Sequence, residues 1–166
     1  GLRNLGDVAL AAINAATTAT VVTSWPDEQG TNQGYVDRLE GALAAMIEAN
    51  FTWGSAGDTL KVMIETTPDQ GTTWMEVARL AFAQASAQKV VNLSALTPVT
   101  TVYAPAALSD DTVKDGIFGD RWRARIVKGA GAAYAGNTSL SIRGHFRWAH
   151  AGLCREDQDA IPPRLR

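Results

Sequence analysis

Alternation of apolar and polar residues with a period of two is the feature that most constrains how this chain folds. It is clearest in four segments, residues 43–53, 60–65, 121–126 and 140–148. In the third segment, Trp122, Ala124 and Ile126 alternate with arginines. Successive side chains of a strand point to opposite faces, so this pattern predicts strands with one face on a core and the other outward.

A fifth segment, residues 74–79, is predicted to be a strand of the same kind. Strict alternation places Trp74, Glu76 and Ala78 together on one face of it. Turn-forming residues separate the predicted strands, at residues 54–58, 68–71, 110–111, 129–131 and 136–137. Short strands at this spacing, with no convincing helix between them, favour an all-β fold, an antiparallel, jelly-roll-like β-sandwich.

The two ends of the chain differ in composition from this middle part. Residues 1–17 are rich in alanine and are expected to form an N-terminal arm or a short helix. The sandwich is predicted to span residues 18–149. After Trp148 the alternation ends, and Pro162-Pro163 cannot enter a central strand. We therefore expect residues 150–166 to be an extended C-terminal arm, with Ile161 and Leu165 as apolar anchors on a partner.

Composition and charge restrict the classes of partner. The 166 residues carry a formal net charge of −2, which does not favour nucleic acid or an anionic membrane. No apolar run approaches the length of a membrane span, and the N-terminus lacks a signal-peptide pattern, so we expect a non-secreted protein. The single cysteine, Cys154, cannot form an intrachain disulfide or a multi-thiolate metal site. No cofactor is expected.

The clearest local motif is the segment Thr67–Trp74, with the sequence TPDQGTTW. It resembles the Asp-box of sialidase propellers, a hairpin that lies away from their catalytic site. In such a turn the Asp69 carboxylate accepts bonds from backbone amides, Gly71 supplies a positive φ, and Trp74 packs beneath the turn. We interpret the three residues as a structural turn.

The sequence carries none of the common signatures of catalysis that are expected of a hydrolase or a nucleotide-binding enzyme. There is no G-x-S-x-G elbow and no glycine-rich phosphate loop. His145 is predicted to face outward on the last strand, which suggests a surface histidine. Asp110, Asp111 and Asp115 share a loop but lack the spacing of an EF-hand. We therefore expect no metal site, and we expect that the chain is not an enzyme.

Two rows of outward arginines are the candidate interface residues. Arg121, Arg123 and Arg125 belong to one predicted strand, and Arg143 and Arg147 belong to the last one. On a free monomer such rows are solvated and oppose edge pairing. Across an interface, the guanidinium groups would instead bind carboxylates of a neighbouring chain.

The middle of the chain resembles a group of virion structural proteins of tailed phages that infect proteobacteria. The resemblance covers about Val36 to Arg147, and Gly-Asp-Arg-Trp-Arg at residues 119–123 is its sharpest part. The segments that carry it are DRLEG (37–41), FTWGS (51–55), ETTPDQGTTW (65–74), NLSALTPVT (92–100) and DDTVKDGIFGDRWR (110–123). The resemblance implies a setting in a phage particle that assembles in the bacterial cytoplasm. It implies no catalytic residue.

The sequence is compatible with four alternative functions. The first is a capsid decoration or cement protein, with the major capsid protein and further copies of itself, as a homotrimer or homodimer, as partners. The second is a neck, tail or baseplate component. The third is a carbohydrate-binding module for a surface glycan. The fourth, a glycan hydrolase, needs a pair of opposed carboxylates.

Overall fold

A computed structural model describes residues 1–149 as an almost entirely β protein with one short helix, α1, at Leu10–Ala15. No helix in this range is long and apolar enough to cross a membrane. The strands are β1 Leu2–Val8, β2 Thr20–Val21, β3 Trp25–Pro26, β4 Asn32–Gln33, β5 Ala42–Thr52, β6 Ser55–Ala56, β7 Leu60–Thr67, β8 Met75–Phe82, β9 Ala87–Ser94, β10 Thr112–Val113, β11 Arg121–Lys128, β12 Tyr134–Ala135 and β13 Ser139–Trp148.

Two antiparallel sheets contain all of the long strands. The first sheet has the order β1-β13-β5-β9, and the second sheet has the order β10-β8-β7-β11-β2. Two small ribbons, β12-β6 and β3-β4, accompany them. The predicted all-β, sandwich-like fold is therefore confirmed.

The core lies between the inner faces of the two sheets and is built from the predicted alternating positions. In β11, Trp122, Ala124 and Ile126 are fully buried. Aromatic rings join the sheets: Trp122 of the second sheet meets Phe146 of the first edge-on, with 5.5 Å between ring centroids. Such large rings supply much of the buried apolar area and fix how the sheets face each other.

Thr23 links the two sheets along one side of the sandwich. Its buried hydroxyl donates to the carbonyl of Leu5 at 2.7 Å and accepts from the backbone N–H of Ala124 at 2.8 Å. Leu5 belongs to the first sheet and Ala124 to the second. Buried backbone groups need hydrogen-bond partners, and this one side chain supplies a partner to a carbonyl of the first sheet and to an N–H of the second.

The N-terminal residues belong to the sandwich, so the predicted boundary at residue 18 is wrong. Strand β1 pairs with β13, and Leu5 and Ile13 are fully buried. The register of β1 shifts between Asn4 and Gly6, which places Leu5 in a bulge. This bulge breaks the period of two and hides the strand from a search for alternation. Of residues 1–17, only Leu10–Ala15 form the short helix that was predicted as the alternative to an arm.

The predicted faces of residues 74–79 also need a correction. Glu65 pairs with Glu76 and Ile64 pairs with Ala78, so Val77 is an extra residue on β8. The bulge turns Ala78 into the core, whereas Glu76 stays on the outer face with Glu65. Strict alternation had placed Glu76 and Ala78 on the same face.

Candidate functional site

The hairpin at residues 67–74 has the predicted turn geometry. The Asp69 carboxylate accepts from the Thr73 N–H at 2.7 Å, and Gly71 has a φ of +96°. The Thr67 hydroxyl accepts from the Gly71 N–H at 2.8 Å and donates to Asp69 at 2.9 Å. The bond from the Thr73 amide lowers the pKa of Asp69 below its usual value. The side chains of Thr67 and Asp69 thus serve the turn itself.

A charged cluster on the outer face of the second sheet centres on Glu65, whose side chain is only 3% exposed. One carboxylate oxygen accepts from Arg123 Nε at 2.7 Å. The other accepts from Arg125 Nη2 at 2.7 Å and from Arg125 Nε at 3.0 Å. Charge-assisted bonds of this length are the strongest that side chains form.

Glu76, opposite Glu65 on β8, is held by a separate set of donors. Arg79 binds both of its carboxylate oxygens, at 2.9 Å each, and the Leu108 N–H binds one of them at 2.9 Å. The Tyr103 hydroxyl donates to the Glu76 carbonyl at 3.0 Å. The bond to Glu76 raises the pKa of Arg79 above its usual value. The cluster therefore fastens the segment between β9 and β10 onto the sheet.

Glu65 and Glu76 are neighbouring carboxylates on one face, whereas a glycan hydrolase needs two carboxylates that flank the scissile bond. Each of their four oxygens already accepts at least one bond from this chain. An acid–base pair must instead present an oxygen to its substrate. The geometry fits a clamp for the loop better than a catalytic pair.

Two aromatic rings on the same face are covered by arginines. Arg123 lies 4.2 Å from the ring centroid of Trp74, and Arg121 lies 4.7 Å from that of Tyr35. The two rings are 6.0 Å apart. Guanidinium groups at these distances make cation–π contacts. One face of each ring is thus occupied by a guanidinium group.

The predicted row of Arg121, Arg123 and Arg125 is engaged within the chain. Arg121 donates to the Gln70 carbonyl at 2.6 Å and to its side-chain oxygen at 3.0 Å. The other two arginines bind Glu65, as described above. Their role at an interface between chains stays a prediction.

The outer face of the first sheet is different, because exposed apolar side chains lie on it. Leu2, Met46 and Val90 are 53%, 41% and 51% exposed. Leu2 and Met46 flank His145 in one row across the sheet, since each pairs with it. Residues opposite each other on adjacent strands share a face. This surface, defined by Leu2, Met46, Val90 and His145, is called the open face below.

The second predicted arginine pair lies on the same face. Arg143 donates to Asp7 at 2.9 Å and to Asn4 at 2.8 Å. The bond from Arg143 lowers the pKa of Asp7 below its usual value. Arg147 is exposed, and within residues 1–149 its side chain makes no hydrogen bond or ion pair. Of the five candidate arginines, Arg147 is the one classed as exposed, whereas the other four are partly buried.

The three loop aspartates are used inside the chain. Asp110 pairs with Lys61 at 3.2 Å and Asp111 pairs with Lys89 at 2.9 Å. Asp115 accepts from the Ser94 N–H at 2.7 Å and from the Thr97 hydroxyl at 2.8 Å. Within residues 1–149, no group of three potential metal ligands comes together.

Sequence reasoning missed Glu65, Glu76 and Tyr103 as a unit. Their juxtaposition depends on the pairing of β7 with β8 and on a loop that returns about 30 residues later. The two glutamates were visible only as polar positions in alternating strands. The predicted anchors Ile161 and Leu165 lie outside the described residues.

Comparison with known proteins gives no relative. No protein-family model, no curated protein and no solved structure matches this chain.

Proposed function

We propose that this chain is a structural component of a bacteriophage virion and that it acts there as a capsid decoration protein. The observation that carries the proposal is the contrast between the two outer faces of the sandwich. The second sheet is partly covered by its own loop, through Tyr103 and Leu108. The open face of the first sheet presents Leu2, Met46 and Val90 to solvent. A face with several exposed apolar side chains suits a module that lies flat on a larger surface.

The sequence resemblance supports the same proposal. Its sharpest segment, residues 119–123, holds Trp122 in the core and Arg123 in the charged cluster. Gly119 in that segment sits against the Thr67 carbonyl, where an added Cβ would be only 2.0 Å from the oxygen. Gly119 and Trp122 of this segment therefore serve the fold, whereas a role of Arg121 and Arg123 at an interface between chains stays a prediction.

In this proposal the major capsid protein contacts the open face, and Arg147 at its margin binds a capsid carboxylate. Further copies of the chain form a homotrimer or homodimer, and residues 150–166 reach a neighbouring subunit. Linked contacts of this kind multiply affinity through effective concentration. The protein would be part of the phage particle and would assemble in the host cytoplasm.

A binding experiment on undecorated capsids tests the open face. Met46→Lys places a charge on that face, and we expect at least about a tenfold loss of binding. Val102→Lys is the matched control, because Val102 is 96% exposed and lies on the loop between β9 and β10. Equal binding by both variants and the unmodified chain would refute the use of this face.

The copy number in purified particles separates the first function from the second. Quantitative mass spectrometry should find hundreds of copies for a capsid decoration protein. A handful of copies would assign the chain to the neck, tail or baseplate instead.

A further inference from the structure

A cleft of about 330 Å³ lies at the end of the sandwich where the hairpin at residues 67–74 meets residues 37–40 and 118–121. Its volume is at the lower end of the range for small-molecule sites. The walls are mainly polar, and the partly buried ring of Phe118 contributes to the lining. No residue that defines the open face lines this cleft, so the two are separate surfaces.

The backbone around the cleft is strained. Within residues 1–149, four residues other than glycine have a positive φ: Arg38, Ala56, Gln70 and Asp111. Two of them, Arg38 at +57° and Gln70 at +64°, line this cleft. The hairpin accounts for the conformation of Gln70, but Arg38 lies outside any such motif. Strain of this kind persists where the structure must aim a side chain, and it concentrates at ligand sites.

The charged groups of the cleft are mixed in sign. Arg38 and Arg121 are donors, and the carboxylates of Asp37, Glu40 and Asp120 are acceptors. Arg38 Nε binds Asp37 at 3.2 Å, and its guanidinium remains half exposed. The three carboxylates would repel an inorganic anion, and the two guanidinium groups would repel a bare cation. A neutral ligand that both donates and accepts hydrogen bonds satisfies the two kinds of group together.

We propose that this cleft binds a neutral saccharide unit. Each sugar hydroxyl donates to one group and accepts from another, so it can bridge a carboxylate and a guanidinium. The C–H face of the ring packs against Phe118, which is held edge-on against Trp122 at 4.9 Å. This role is additional to the virion function and does not depend on it.

An NMR titration of the full chain tests the proposal. The probes are glucose, galactose, N-acetylglucosamine and the disaccharides cellobiose, lactose and chitobiose, each up to about 50 mM. At least one probe should bind with a dissociation constant on the order of 1 mM. The backbone amide signals of Gln70, Gly119 and Asp120 should shift most. No shift with any probe, or shifts centred outside the cleft, would overturn the proposal.

Variants locate the interaction independently of the spectra. Asp120→Asn removes the negative charge and replaces one acceptor oxygen by a donor, and Arg38→Gly removes the guanidinium while relieving the backbone. Each should weaken binding by about tenfold or more. Glu28→Gln, at an exposed carboxylate that does not line the cleft, should bind like the unmodified chain. Equal affinity in all variants would rule out the cleft as the site.

Discussion

Glu65 on β7 and Glu76 on β8 are direct cross-strand partners on the outer face of the second sheet, and both side chains are almost fully buried. Like charges in this arrangement repel each other and destabilise a sheet. Separate guanidinium groups compensate each carboxylate, from Arg123 and Arg125 on one side and Arg79 on the other. The two buried carboxylates are therefore stable only with their arginines, and the arginines need the carboxylates as counter-charges.

Replacing Glu65 by glutamine should destabilise the fold by about 3 kcal/mol, because two arginines lose their shared counter-charge. Urea unfolding would measure the change in the free energy of unfolding. The same substitution at the exposed Glu28 should change it by less than about 0.5 kcal/mol. If the two variants are equally stable, the cluster does not contribute to the fold.

Trp122→Ala should cost about 3–5 kcal/mol, because the ring is fully buried and its loss leaves a cavity. The ring also contacts Phe118 and Phe146, so both sheets lose packing. Thermal unfolding followed by circular dichroism would measure the effect. An unchanged melting temperature would show that the ring is not part of the core.

Gly71→Val should cost on the order of 1–3 kcal/mol, since valine disfavours a φ of +96°. An added Cβ would make ordinary van der Waals contact, with Arg121 Nη1 the nearest atom at 3.6 Å, so the backbone conformation sets most of the cost. Gly34→Val is the control, because Gly34 has comparable space and no positive φ. Capsid binding by the folded fraction should be unaffected. Loss of binding at normal stability would give the hairpin a functional role.

Stability should fall in acid partly through Asp115. Partial burial raises its pKa, but the bonds from Ser94, Thr97 and Gly116 outweigh it and hold the pKa below the usual value. Its contribution is complete above the unfolded pKa of about 3.9 and is lost as the pH falls through the folded pKa. Asp115→Asn should therefore flatten the dependence of stability on pH below about pH 4. Parallel curves for the two proteins would contradict this assignment.

A chain shortened to end at Ala149 should melt within a few degrees of the full chain and bind undecorated capsids much more weakly. The expectation comes from the sequence, where Pro162-Pro163 favours an extended segment that loses little entropy on docking. Failure of the shortened chain to fold would place residues 150–166 in the core. Unchanged capsid binding would leave the open face and Arg147 as the interface.

Much of the fold could be predicted from the sequence. Alternation in residues 43–53, 60–65, 121–126 and 140–148 predicted β5, β7, β11 and β13, together with the faces that they bury. The turn at Asp69 and Gly71 followed from its own residues. These features are local: the direction of a side chain along a strand and the φ of a turn depend on neighbours in the chain.

The tertiary structure decided the rest. Strand β1 became visible only through its pairing with β13 at the other end of the chain, and the bulge at Val77 only through the register with β7. The compensation of Glu65 and Glu76, the covered face of the second sheet and the cleft beside Arg38 all require residues that are distant in sequence. A period in the sequence specifies which face a side chain takes but not which strand lies beside it, because register depends on the summed packing of the whole sandwich.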